Sequence, residues 1–233
     1  MRKDFLVFGS PRIEQPEIDE VVQCLKSGWI GTGPKVQKFE QMFKEYKGTK
    51  CALALHSCTA ALHLAMEAID IKPGDEVIVP AMTFCATANA VIHAGGRPVF
   101  VDCGRDTMNM DPKDVERKIT PRTRAIIPVH FAGRVCNMDA LMAIARKNNL
   151  LMIEDCAHAI ESEYHGKKAG TFGDFGCFSF YVTKNIVTGE GGMVITNNDD
   201  LAAKIKVLGL HGMSNDAWKR FGDEGYKHYQ VVE

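Results

Sequence analysis

Short apolar runs alternate with amphipathic segments along most of this 233-residue sequence. The apolar runs are rich in Val, Ile, Leu and Phe, which is typical of strands that are buried on both faces. The predicted strands cover residues 51–55, 76–80, 98–101, 124–129, 150–154, 175–180 and 191–196. Apolar residues at helical spacing predict helices over residues 16–27, 36–46, 60–69, 83–93, 112–119, 138–148 and 201–210. This alternation predicts an α/β fold with a mostly parallel sheet of about seven strands and helices on both faces.

We expect residues 1–233 to form one domain, because no repeat, linker or low-complexity stretch divides the sequence. Residues 1–50 are predicted to be a helical segment, and residues 51–210 the α/β core. Residues 31–33 read Gly-Thr-Gly but lack the third glycine and the preceding strand of a dinucleotide-binding motif. The sequence also contains no P-loop, GxSxG elbow or kinase motif. Cofactors recognised by those motifs therefore fit the sequence poorly.

Composition and charge narrow the possible functions. The chain is 45% hydrophobic and its net charge is -1, so no basic surface indicates nucleic acid or an anionic membrane as a partner. Residues 51–69 are apolar, but His56, His63 and Glu67 interrupt them, and we expect a core segment rather than a membrane span. The eight cysteines and eight histidines show no zinc-type spacing. We therefore predict no metal site, and reduced thiols in a cytoplasmic protein.

Polar and aromatic side chains follow two predicted strands at the points where ligands of such sheets bind. After the strand at 51–55, residues 57–60 open a helix, and their free N–H groups could hold a phosphate. The alternative is that Ser57 or Thr59 only caps that helix. Phe84 follows the next strand, where it could stack on a planar ring or simply fill the core.

Two further predicted strands end in groups that carry charge. Asp155 follows residues 150–154, and a buried carboxylate is costly unless it meets a cation or several donors; structural capping is the alternative. Ser179 lies near the end of the strand predicted over 175–180, and Lys184 follows that strand, although lysines at strand ends are usually solvated. Together, the four strand ends offer a phosphate cradle, a stacking partner, a carboxylate and a lysine. Pyridoxal 5'-phosphate requires this set, because it carries a phosphate, a planar ring, a protonated ring nitrogen and an aldehyde that condenses with lysine.

Longer motifs surround these residues in a fixed order along the chain. They are SCTAALHLA (57–65), GDEVIVPAMTFCATANAV (74–91), AIIPVH (125–130), IEDCAHA (153–159), GTFGDFGCFSFYVTKN (170–185) and TGEGGMV (188–194). In content, order and spacing the motifs resemble the DegT/DnrJ/EryC1/StrS family over nearly the whole chain. That family consists of pyridoxal-phosphate sugar aminotransferases of the aspartate-aminotransferase fold (fold type I).

The resemblance implies roles for individual residues. Lys184 would bind the aldehyde of the cofactor, and Asp155 would pair with its pyridine nitrogen. Phe84 would stack on the ring, and His158 lies where members carry Gln or His near the ring hydroxyl. The implied contacts at the phosphate end are Cys58, Thr59, Ala60 and Ser179. Because members that act as sugar dehydratases have histidine in place of the lysine, Lys184 favours transamination.

The resemblance also implies a reaction and its partners. An amino donor such as L-glutamate would transfer its amino group to a nucleotide-linked 3- or 4-keto sugar. The product would serve amino-sugar biosynthesis for a cell-surface polysaccharide or a glycosylated metabolite. A homodimer is expected, because relatives have their sites at a subunit interface. Residues 211–213, with Asp216 and Arg220, are similar to members that aminate C4 of the sugar.

Chains of this family continue into a small C-terminal domain, so residues 211–233 are expected to begin the connection to it. Two alternatives remain at the level of the sequence. One is a different fold type I enzyme, such as a decarboxylase or desulfurase, which would lack the GTFGDFGCFSF and GEGGM patterns. The other is a catalytically impaired or regulatory fragment that keeps the fold without the small domain.

Overall fold

Strands and helices alternate over residues 51–155 in the computed structural model, which describes residues 5, 7 and 9–213. The strands are β1 (Cys51–Leu55), β2 (Glu76–Pro80), β3 (Arg97–Val101), β4 (Thr123–Ile126), β5 (Leu151–Asp155), β6 (Glu163–Tyr164), β7 (Lys167–Lys168), β8 (Phe175–Ser179) and β9 (Gly192–Thr196). The helices are α1 (Gln15–Ser27), α2 (Pro34–Lys47), α3 (Cys58–Ala68), α4 (Cys85–His93), α5 (Pro112–Lys118), α6 (Met138–Lys147) and α7 (Asp199–Leu208). Asp216 and Arg220, and with them most of the expected connection at 211–233, lie outside the described residues.

Seven of the strands form one sheet in the order β1-β9-β8-β5-β4-β2-β3. The pairs from β8 to β3 are parallel, whereas β9 is antiparallel to both of its neighbours, β8 and β1. The other six strands of this sheet therefore run in the same direction, and their carboxyl ends meet at one edge. The predicted mostly parallel, seven-stranded α/β fold is confirmed.

Helices cover both faces of this sheet. Because the side chains of a strand alternate between the faces, Val77 and Val79 of β2 pack with α3, α4 and α7, while Ile78 packs with α5 and α6. Near the β1 end of the sheet, Phe43 of α2 packs on Phe178 and Phe180, with ring centroids 5.0 and 5.8 Å apart. In the described part of the chain, no helix has the length and apolar character needed to cross a membrane.

Two local features differ from the sequence prediction. The strand predicted over 124–129 ends at Ile126 in β4, because Pro128 has no N–H with which to continue the ladder. The hairpin of β6 and β7 was not predicted, since strands of two residues contain no periodic pattern. Its turn places His165 and Gly166 at φ values of 50° and 75°, the left-handed geometry that tight hairpins require.

Glu154 of β5 is a fully buried carboxylate that fixes the loop before β8. Its Oε1 accepts hydrogen bonds from the N–H groups of Phe172 and Gly173, at 2.7 and 2.8 Å. Its Oε2 accepts one from the N–H of Gly170 at 2.8 Å. These charge-assisted bonds offset the cost of burying the carboxylate. Glu154 therefore ties the 170–173 loop to the centre of the sheet.

The same carboxylate belongs to a buried cluster with His130 and Cys156, the one group of possible metal ligands among the described residues. His130 Nδ1 accepts the N–H of Cys136 at 3.2 Å, so Nε2 carries the proton and donates it to Glu154 Oε2 at 3.0 Å. Burial, followed by the charge of Glu154, raises the pKa of the Cys156 thiol well above its usual value. We interpret the cluster as a hydrogen-bonded part of the core.

Glu154→Gln is expected to lower the free energy of unfolding by roughly 2–4 kcal/mol, because an amide NH₂ then faces backbone N–H donors. Denaturant titration of the purified chain measures this change. Glu163→Gln, at an exposed position of β6, is the matched control and should change the value by less than about 0.5 kcal/mol. Equal effects of the two substitutions would contradict this role of Glu154.

Candidate active site

A cavity of about 520 Å³ opens at the carboxyl edge of the sheet. Its walls are the segments that follow β1, β2, β4, β5 and β8, together with the segment before β9. This volume lies in the range that small-molecule sites occupy. The predicted site residues that line the cavity are Cys58, Thr59, Phe84, Asp155, His158, Ser179 and Lys184. Ala60 is the exception, because it is buried in α3 and does not reach the cavity wall.

The start of α3 forms one end of the cavity. Ser57 caps this helix, and its Oγ accepts the N–H of Ala60 at 3.1 Å. Among the described residues, no group accepts the N–H of Cys58 or Thr59, as is usual in the first turn of a helix. These N–H groups and the positive end of the helix dipole favour an anion at this position. Ser57 therefore caps the helix, and the N–H groups of Cys58 and Thr59 remain available to an anion.

Ser179 lies beside the start of α3 because of a close approach at Gly192. Gly192 pairs with both Leu55 of β1 and Ser179 of β8. A Cβ at Gly192 would lie 2.6 Å from Cys58 N and would overlap the carbonyl group of Ser57. Ser179 Oγ accepts the N–H of Tyr181 at 3.3 Å, so its hydroxyl hydrogen can be donated to an anion.

Asp155 is the last residue of β5 and is only 5% exposed. Its Oδ1 accepts the N–H of Ala157 at 3.1 Å, and its Oδ2 accepts the hydroxyl of Thr87 at 2.8 Å. In the described part of the chain, it forms no salt bridge with a basic side chain. A buried carboxylate that faces a cavity without a cationic partner is suited to a ligand that carries a positive N–H.

Lys184 and His158 face the same cavity. Lys184 lies in the loop between β8 and β9, and its backbone N–H donates to Tyr181 O at 2.9 Å. Burial, followed by the nearby charge of Lys184, lowers the pKa of His158, and Asp155 partly opposes this shift. The lowered pKa favours the neutral ring, whose Nδ1 accepts the N–H of Ala132 at 3.4 Å.

Phe84 lies on the rim of the cavity rather than in the core. It immediately precedes α4, and its side chain is 75% exposed. The alternative that Phe84 fills the core is therefore wrong for this structure. An exposed aromatic ring above a cavity is available to stack on a planar ligand.

Sequence reasoning missed residues that support the site. Thr83 lines the cavity, and Thr87 contacts Asp155 from within α4. A pair of threonines four residues apart, at the start of a helix that follows a strand, is the signal that was available. Gly192 gives no such signal, because its close contact with α3 exists only in the folded chain.

The sheet topology is that of fold type I pyridoxal-phosphate enzymes. The model of the DegT/DnrJ/EryC1/StrS aminotransferase family matches residues 11–228, and the chain belongs to this family.

Relatives of the chain include proteins of sugar metabolism. It is 50% identical to the spore coat polysaccharide biosynthesis protein SpsC of Bacillus subtilis over 230 residues, which is 99% of this chain and 59% of SpsC. It is 49% identical to GDP-perosamine synthase of Caulobacter vibrioides over 205 residues, 88% of this chain and 55% of that protein. The structure of Spr1654 from Streptococcus pneumoniae in its PLP form superimposes with a TM-score of 0.90 at 36% identity, covering 98% of this chain and 61% of Spr1654. The chain thus spans about 60% of the length of these relatives.

Gly192→Ala is expected to displace the start of α3 and to lower the free energy of unfolding by about 1–3 kcal/mol, because the new Cβ has no space. Denaturant titration measures the change. At Gly31 a Cβ would meet no atom within 4 Å, so Gly31→Ala is the control and should be nearly neutral. If the two alanine variants unfold alike, the close approach at Gly192 does not constrain α3.

Lys184→Met is expected to raise the pKa of His158 toward its ordinary value, because it removes a nearby positive charge. NMR titration of the histidine ring resonances measures this shift. The pKa of His158 is lower in the folded state than in the unfolded state, so protonation favours unfolding. His158 therefore lowers the free energy of unfolding progressively as the pH falls below about 6.5. Lys167→Met, at an exposed position of β7, is the control. An unchanged titration of His158 in Lys184→Met would contradict the proximity of the two side chains.

Proposed function

We propose that the chain binds pyridoxal phosphate (PLP) through Lys184 and transfers an amino group from L-glutamate to a nucleotide-linked keto-sugar. The observation that carries this proposal is the position of Asp155. It is a buried carboxylate without a cationic partner in the described residues, and it shares one cavity with Lys184 and an anion-binding helix start. The three groups match the ring nitrogen, aldehyde and phosphate of PLP.

The residues of the cavity fit each part of the cofactor. The N–H groups of Cys58 and Thr59, together with the hydroxyl of Ser179, would hold the phosphate. Asp155 would accept a hydrogen bond from the protonated ring nitrogen, and Phe84 would cover one face of the ring. The remaining predicted contact in the cavity is His158, for the ring hydroxyl, whereas Ala60 supports the first turn of α3 from outside the cavity. When bound, PLP supplies an electron-poor ring that stabilises negative charge on the adjacent substrate carbon.

Lys184 would carry the proton in both halves of the reaction. It is the one lysine or arginine among the residues that line the cavity in the described chain. Its Nζ would take a proton from the α-carbon of L-glutamate in one half-reaction, and in the other it would give a proton to the sugar carbon that gains the amino group. Asp155 would stabilise the positive charge on the ring nitrogen of the cofactor. The aromatic side chains of Phe84 and Tyr181 at the rim would exclude water. Two half-reactions at one site imply ping-pong kinetics.

The substrate proposal rests on the family and on its relatives. The chain belongs to the DegT/DnrJ/EryC1/StrS aminotransferase family, and one relative is a GDP-perosamine synthase. Both support a 3- or 4-keto sugar carried on a nucleotide, for use in a polysaccharide or a glycosylated metabolite. We propose that residues 1–233 are the cofactor-binding part of the protein. Phe84 and Tyr181, 75% and 44% exposed at the cavity rim, are consistent with a homodimer in which a second copy covers them.

In the 233-residue chain, added PLP is expected to produce a visible absorption band that L-glutamate bleaches with release of 2-oxoglutarate. Lys184→Met should slow this half-reaction by about 10²–10⁴-fold, because the general base and acid is lost. Stopped-flow absorbance and assay of the oxo acid measure it, and Lys167→Met is the control. A band that L-glutamate leaves unchanged in the unmodified chain would refute transamination and favour a protein that only binds the cofactor.

A further inference from the structure

A chain of two hydroxyl groups leads from the cavity wall to Asp155. Thr87 lies in α4 and is fully buried, and its Oγ1 is 2.8 Å from Asp155 Oδ2. The Oγ1 of Thr83 lies 2.7 Å from that of Thr87 on its other side. Thr83 lines the cavity, whereas Thr87 does not. The two hydroxyls therefore connect the cavity to the buried face of the carboxylate.

The direction of the hydrogen bonds in this chain follows from the donors that are present. A carboxylate only accepts, and a threonine hydroxyl has one hydrogen to donate. Thr87 gives its hydrogen to Asp155 and must therefore accept the hydrogen of Thr83. The Thr83 oxygen then has no hydrogen left to donate, and its lone pairs can accept hydrogen bonds from a group in the cavity. Neither of these two hydrogen bonds can reverse its direction while Asp155 is ionised.

These hydroxyls are not used to cap α4. The helix begins after Phe84, and no side chain makes a capping hydrogen bond there. The first turn is closed instead by the backbone, with Thr87 N–H donating to Phe84 O at 3.2 Å. The hydroxyl of Thr87 is thus committed to Asp155 rather than to its own helix.

We propose that Thr83 and Thr87 are positioning residues for Asp155, which fix its carboxylate for the ring nitrogen of a bound PLP. With Ala157 N–H on Oδ1 and Thr87 on Oδ2, each carboxylate oxygen is held before any ligand arrives, and each keeps acceptor capacity for it. Phe84 stands between the two threonines in the sequence, so the same helix start positions the ring-stacking aromatic and the carboxylate. The inference rests on the proposed cofactor.

The test compares Thr87→Val with Thr87→Ser in the 233-residue chain. Valine keeps the shape but removes the donor, and PLP should bind about 10–100-fold more weakly, with a shifted absorption maximum, because a bond to a charged group is lost. Serine keeps the hydroxyl and should restore both values to nearly those of the original chain. Thr83→Val, which leaves Thr87 still able to donate, should give a smaller loss of about 2–10-fold. Titration of PLP by visible absorbance measures all three.

The control is Thr196→Val, which removes a buried hydroxyl at the far end of β9, where Oγ1 accepts the N–H of Asn198 at 3.1 Å. It should leave PLP affinity and the absorption maximum unchanged. Equal affinity and an unchanged spectrum for Thr87→Val would overturn the proposal, and so would a loss that serine does not restore.

A second readout separates this proposal from the proposed function. In a crystal structure of Thr87→Val without added cofactor, the Asp155 carboxylate should rotate away from its original orientation. If it stays in place, the positioning role is refuted whatever the chain binds. If the original chain does not bind PLP at all, the proposed function fails, and the orientation of Asp155 still decides whether the threonines position it.

Discussion

The common direction of six strands in the central sheet is the constraint on which the site depends. It brings the ends of β1, β2, β4, β5 and β8 to one edge, where the starts of α3 and α4 also lie. The antiparallel strand β9 adds a second consequence, because it begins at the edge where β8 ends. The loop that carries Lys184 therefore leaves and re-enters the sheet at the cavity and never has to cross the molecule.

Two adjacent carboxylates of β5 show how burial can serve structure or chemistry. Successive side chains of a strand point to opposite faces, so Glu154 and Asp155 lie in different surroundings. Glu154 accepts three backbone N–H groups and one from His130, which leaves it fully committed to the core. Asp155 accepts two hydrogen bonds and faces the cavity. The less fully satisfied carboxylate is the one that is suited to a ligand.

Much of the fold could be predicted from the sequence, and most of the predicted site residues line one cavity, because both depend on local patterns. The strand Cys51–Leu55 has the predicted bounds, since a continuous apolar run defines it. What could not be predicted depends on contacts between distant segments. The bond from Thr87 to Asp155 spans 68 positions, and the fit of Gly192 against α3 needs the folded sheet. The short hairpin of β6 and β7 was missed because two residues carry no periodicity.

The central claim is that Lys184 is the covalent attachment point for a cofactor held by the sheet edge. Reduction of the PLP-treated chain with borohydride, followed by peptide mass spectrometry, tests it most directly. The account predicts one pyridoxyl group on the peptide that contains Lys184, with no such label in Lys184→Met. A label on another lysine, or an unlabelled Lys184 peptide after reduction, would contradict it.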